Sequence, residues 1–167
     1  LKLLSLCLPW VPMCVCSTRV LPSSRFNPMA VASFQLDPRL AADTHPVVRW
    51  GLSDVLLMDD ARFPWVVLVP RIAGVTEWFD LSEVQQATLL NETLVLGKAM
   101  QRVFSAEKMN TAALGNIVSQ LHVHVVARYA TDEAWPAPVW GVGTAKLYDT
   151  AARGNIIERL SRELPPL

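Results

Sequence analysis

Apolar positions along the chain fall into short runs separated by polar breaks, with one long stretch at helical spacing. Asp37-Pro38 joins a capping carboxylate to a proline at the first helical position, which predicts a short helix to about Ala42, ended by His45-Pro46. Residues 47–50 and 54–58 read as two strands of a hairpin around Gly51. Asp59-Asp60-Ala61-Arg62 is a polar break, and the β-branched run 65–69, stopped by Pro70, predicts a buried central strand. Asp80-Leu-Ser-Glu83 resembles a capping box with Asp80 as the cap. From there Leu81, Val84, Leu89, Leu94, Val95, Met100 and Val103 give an approximate 3.6-residue period, predicting a helix over about residues 81–105. Residues 110–114 and 122–128 read as strands on either side of Gly115. A rigid loop with Trp135-Pro136, Pro138 and Trp140-Gly141 follows, then a helical stretch over 144–163 weakened at Gly154. This order predicts an α+β fold: a mainly antiparallel β-sheet with one long helix and a C-terminal helix.

Composition narrows the class. The 167 residues are 51% hydrophobic and 18% charged with zero formal charge, enough to bury one real core and too apolar for a disordered chain. Neutrality gives no general attraction to nucleic acid or to an anionic membrane, so neither is expected as a partner. The balance is uneven. Residues 1–33 carry three basic residues and no acid, while 34–167 carry 12 basic against 15 acidic residues. Cys7, Cys14 and Cys16 all lie near the start, and the remainder has none, which removes a disulfide framework or thiolate zinc site and points to a reducing, cytoplasmic compartment. The opening apolar run is interrupted by Pro9 and Pro12 and is too short to span a membrane. Residues 1–28 are therefore expected to be a leader outside the domain, either an extension upstream of Met29 or a signal segment. A domain over 29–143 and a C-terminal helical extension over 144–167 are expected to follow.

Two of the three histidines stand two apart in Gln120-Leu-His122-Val-His124. On a strand, alternate side chains share a face, so Gln120, His122 and His124 are expected to line one side with Leu121, Val123 and Val125 behind them. Such a row suits an active-site floor, because neutral imidazole is a nucleophile and proton carrier near pH 7. It also suits a partly exposed polar strand face, or two ligands of a metal site completed by His45 or carboxylates. Residue types alone leave the three readings open.

The segment 110–128, with Gly115-Asn116 ahead of Gln120-Leu-His122-Val-His124-Val-Val-Ala-Arg128, resembles the signature of the histidine triad (HIT) superfamily. The piece Asp59-Asp-Ala-Arg-Phe-Pro-Trp65-Val-Val-Leu-Val-Pro70-Arg71 is similar to that family's nucleoside-pocket strand. The resemblance implies a nucleotide hydrolase or transferase cleaving a phosphoanhydride or phosphoramidate through a nucleotidyl-histidine intermediate. The alternative is a nucleotide-binding module with little catalysis. It implies His122 as nucleophile, His124 as the last triad member, and Gln120 at the first position, where many members have His. A divergent branch follows, since Trp65 also falls where many members carry a further histidine. The resemblance further implies phosphate or ribose contacts for Asn116 and Asn110, the latter reading equally as a polar residue that opens a strand, ribose-hydroxyl binding for Asp59 or Asp60, and for Arg128 either an offset to phosphate charge or a surface or interface position. Trp135 and Trp140 either stack on a base or cap the core or a dimer contact. A homodimer through the long helix and adjacent strand is expected, with no cofactor and no metal. Gln120 can hydrogen-bond but carries no proton at neutral pH, so a leaving group that needs protonation is expected to react slowly if the first histidine handles protons.

Overall fold

A computed structural model describes residues 33–167, so the expected leader lies outside the described residues. Helix α1 (Pro38–Asp43) starts as the sequence predicts: the Asp37 carboxylate accepts from the Arg39 backbone N–H, and Pro38 needs no partner. Strands β1 (Thr44–Arg49), β2 (Ser53–Met58), β3 (Trp65–Pro70), β4 (Lys108–Ala112) and β5 (Val123–Arg128) form one antiparallel sheet in the order β1-β2-β3-β5-β4. β1 begins earlier than expected and includes His45-Pro46. It is an edge strand, where a missing N–H is tolerated, and its register shifts between Pro46 and Val48. β3 lies at the centre, buried at all six positions.

Helix α2 (Glu83–Phe104) is the long helix, but Ser82 caps it: its hydroxyl accepts from the Gln85 N–H and the Gln85 side chain accepts from the Ser82 N–H. Asp80 instead closes a 3₁₀ turn at Trp78–Asp80, accepting from the backbones of Thr76 and Glu77. The helix buries Leu89, Glu92, Thr93, Leu96, Ala99 and Met100. Val84 and Leu94, assigned by periodicity to the apolar face, are 77% and 54% exposed, because the sheet lies on the line through 89, 92, 96 and 99. Glu92 is tolerated there because one carboxylate oxygen accepts the Leu52 N–H at 3.0 Å, tying α2 to the β1–β2 turn. Helix α3 (Thr150–Glu163) starts at an Asp149 cap, six residues later than the pattern suggested, and carries Gly154 internally.

The sheet has two unlike faces. Val55, Leu57, Val66, Leu68, Val123 and Val125 point toward α2 and α3 and join Leu89, Leu96, Met100 and Leu160 in one large core. On the other face, one small cluster (Leu40, Leu56, Val67, Val69, Val118) lies under α1, and another (Phe63, Trp65, Val126, Ala134, Val139) lies under the loop after β5. Both histidines of the sequence motif lie on this second face.

Candidate active site

Strand alternation places His124 beside Val67 of β3 and Ala112 of β4, and His122 precedes β5 by one residue. Both side chains are buried, with ring centroids 4.7 Å apart and planes at 80°. They line a cavity of about 260 Å³ walled by Leu40 and Asp43 of α1, Met58, Trp65, Trp140 and the loop 114–118. Gly115 turns that loop with φ +73°, a conformation that an L side chain adopts only with strain, and so presents Asn116 to the cavity.

The two rings are fixed in opposite forms by what meets Nδ1. His122 Nδ1 lies 2.7 Å from the Gln120 carbonyl oxygen, which only accepts. The proton is therefore on Nδ1, and in the neutral ring Nε2 keeps its lone pair. His124 Nδ1 lies 3.0 Å from Trp65 Nε1, and an indole N–H only donates. The lone pair is therefore on Nδ1 and the proton on Nε2. Burial first, then the neighbouring His122, hold the His124 pKa down to about 3, so the ring stays neutral through the physiological range. One imidazole offers an electron pair and its neighbour offers an N–H.

Gln120 does not continue the row. Its backbone carbonyl serves His122, but its amide turns to the segment ahead of α1, donating to the Gln35 carbonyl at 2.8 Å and accepting the Asp37 N–H at 2.9 Å. The chain at 119–122 is not yet strand, so period-two alternation does not apply there.

The expected accessory residues divide. Asn116 lines the cavity, but Asp59 and Asp60 do not. Asp59 pairs with His45 Nε2 at 2.8 Å and accepts the Tyr148 N–H at 2.9 Å, and the His45 contact is the main reason its carboxyl is held below the usual range. Burial pushes the Asp60 carboxyl up, but the Arg62 guanidinium at 2.6 Å and the Arg62 and Lys146 N–H groups outweigh it and leave it lowered. Both clamp the chain leading into α3. Arg128 is not free to offset phosphate charge. It is 1% exposed and donates to Asp132 at 2.7 and 3.0 Å, to Asn110 Oδ1 at 2.7 Å and to the Ala137 carbonyl at 2.9 Å. Asn110 is thereby committed to this strut, outside the histidine cavity. Of the two loop tryptophans, Trp140 walls the cavity, 5.5 Å from the His124 ring, while Trp135 covers the Arg128 guanidinium. Asp43 is the carboxylate at the cavity. No local motif marks it, since it reaches the site only because α1 crosses the sheet face. Among the described residues no group of three or more His, Cys, Asp or Glu side chains could hold a metal ion, so His45 does not complete a site with His122 and His124.

Comparison with known proteins agrees with this fold. The family model for the HIT domain matches residues 39–131. A histidine triad protein from Marinobacter aquaeolei VT8 is 46% identical, with a TM-score of 0.78 over 80% of this chain and 97% of that one. Its counterpart from Bradyrhizobium japonicum is 42% identical, with a TM-score of 0.79 over 80% of this chain and all of that one. One from Sinorhizobium meliloti 1021 is 43% identical, with a TM-score of 0.77 over 78% and 97%. A search of curated proteins finds no match.

Proposed function

The chain belongs to the HIT domain family, and from that premise we propose that it is a nucleotidyl hydrolase or transferase that opens a nucleoside phosphoanhydride or phosphoramidate through His122. The observation that carries this reading is the pair of buried imidazoles held in opposite tautomers. His122 Nε2 attacks the α-phosphorus, and the positive charge that develops on its ring is stabilised through Nδ1–H by the Gln120 carbonyl. His124 Nε2–H and Asn116 donate to the non-bridging oxygens, where negative charge grows. Water or another acceptor then takes the nucleotidyl group. Asp43, rather than Asp59 or Asp60, accepts from the ribose hydroxyls.

A homodimer belongs to the same reading. Val84, Leu90 and Leu94 leave an apolar stripe on the outward side of α2, and β4 is an outer strand of the sheet. Sedimentation of the full chain is expected to give a dimer that Leu94→Glu weakens. No helix of the described residues is long and apolar enough to cross a membrane.

The test of the chemistry is intact mass of the full chain after incubation with a diadenosine polyphosphate or adenosine phosphoramidate, quenched without acid. A nucleotidyl-sized increment that His122→Ala abolishes is expected. Binding of a mononucleotide with neither adduct nor turnover would replace this reading with that of a nucleotide-binding module.

A further inference from the structure

The site can attack and can donate hydrogen bonds, but among the described residues its cavity holds no group poised to hand a proton to a departing atom. The titratable side chains at the cavity are Asp43, His122 and His124. His122 uses Nε2 for the new bond, and its remaining proton is engaged by the Gln120 carbonyl. His124 has one proton, on Nε2, and giving it up would leave an imidazolate. Becoming imidazolium would require a second proton on Nδ1, where the Trp65 N–H already points. Burial opposes that charge and keeps the pKa at about 3. Asp43 is an acceptor when ionised. The Gln120 amide is fastened to Gln35 and Asp37 and carries no proton in any case.

Building on the nucleotidyl-transfer reading, we infer that the site selects donors whose leaving group departs as an anion, namely nucleoside phosphoanhydrides, and discriminates against phosphoramidates of alkyl amines, with Trp65 as the positioning residue that sets this selectivity through His124. With an anhydride, the His122 Nε2 lone pair forms the N–P bond while the bond from the α-phosphorus to the bridging oxygen breaks. Its electron pair leaves on the β-phosphate oxygen, an anion stable in water. Water then forms the new P–O bond, the N–P pair returns to Nε2, and the water proton goes to solvent. With an alkyl phosphoramidate, the same bond breakage would expel an amide anion unless the nitrogen first gained a proton, and no residue at the cavity supplies one.

The test takes the full chain and has two arms. In the first, ring ¹⁵N spectra with no nucleotide present are expected to show His124 protonated on Nε2 alone from pH 5 to 8, and the neutral form of His122 protonated on Nδ1. In the second, kcat/KM is measured at pH 7 for a diadenosine polyphosphate and an adenosine phosphoramidate of an alkyl amine. The phosphoramidate is expected to be at least about 100-fold slower, the lower end of what general acid help supplies. Trp65→Phe keeps an aromatic ring, though a smaller one, and removes the N–H. It is expected to give mixed His124 tautomers and to raise the phosphoramidate-to-anhydride ratio about tenfold, whereas a purely structural role would slow both substrates alike. Comparable kcat/KM for the two donors, or a proton on His124 Nδ1 in the unmodified chain, overturns the inference and leaves nucleotidyl transfer standing. If the tautomers are as assigned and no donor reacts or forms an adduct, nucleotidyl transfer fails and this selectivity fails with it.

Discussion

The two faces of the sheet are stabilised in different ways. Toward α2 and α3, apolar side chains form one continuous core in which Leu89, Leu96, Met100 and Leu160 have no exposed surface. On the opposite face the apolar contacts break into two small clusters, and the gap between them holds His122, His124 and the cavity. That face is secured by polar fastenings at its margins: Arg128–Asp132–Asn110 under the loop after β5, Asp60–Arg62 before α3, and Gln120 against the segment before α1. A close-packed face leaves no space for a ligand. A face held at its edges by hydrogen bonds and ion pairs leaves its centre available for chemistry.

The sharpest way to break this contrast is to remove one fastening. Arg128→Ala leaves Asp132 a buried carboxylate without its cation, and is expected to cost about 3–5 kcal/mol in denaturant unfolding. Because the Ala137 carbonyl and the Trp135 ring also rest on this guanidinium, the Trp140 wall loosens and mononucleotide affinity falls as well. Leu96→Ala acts on the other face and is expected to cost about 2–5 kcal/mol through lost burial and a cavity. It should leave the ring ¹⁵N shifts of His122 and His124 unchanged below the unfolding transition. If Leu96→Ala alters those tautomers, the faces are not separable in this way.

A smaller effect separates the faces by pH. Unfolded His124 takes up a proton below about pH 6.5, whereas folded His124 does so only near 3. The unfolded chain thus binds more protons in that window, so stability falls as pH drops from 6.5, by about 1.4 kcal/mol per unit from this group at the steepest. Thermal melts should show this slope, and His124→Asn should flatten it. Asp132 is lowered chiefly by its hydrogen bonds from Arg128, so its contribution is lost only below the ordinary carboxylate range. The two groups therefore act in different pH windows. A melting profile equally steep in the His124→Asn variant would remove the premise that His124 is buried neutral.

What the sequence made legible follows from how local each cause is. The α1 cap, the central strand at 65–69 and the facing of His124 depend on neighbours within a few residues, and each stands as predicted. Hydrophobic period placed α2 but mixed its two sides. Leu94 satisfies the period as well as Leu96 does, and only the position of the sheet decides which is buried. The site residues divide in the same manner. His122 and His124 are set by one strand and the chain entering it. Asp60 and Arg128 carry charges that suit a ribose or a phosphate, but each is neutralised by a partner within four residues, Arg62 and Asp132, a pairing the family resemblance passes over, whereas Asp59 finds His45 and the Tyr148 N–H 14 and 89 residues away. The Trp65 contact to His124 spans 59 residues and arises from antiparallel pairing of β3 with β5, which a linear reading cannot register.

The mildest test compares two carboxylates that the sequence does not rank. Asp59 is committed to His45 and the Tyr148 N–H, and an amide in its place keeps an oxygen for that N–H. Asp59→Asn should therefore lower stability by about 1 kcal/mol or less, as for other partly exposed ion pairs, and leave KM within about twofold. Asp43 lines the cavity and is exposed, so Asp43→Asn should barely move the melting temperature. If Asp43 accepts from ribose hydroxyls, losing its charge should raise KM about tenfold, the scale of one charge-assisted hydrogen bond. A 2′,3′-dideoxynucleotide donor should abolish the difference between Asp43→Asn and the unmodified chain, because the hydroxyls that distinguish them are gone. A larger KM effect at Asp59 than at Asp43 would return the ribose role to the Asp59-Asp60 turn, and with it the view that this turn, rather than the end of α1, forms the nucleoside wall.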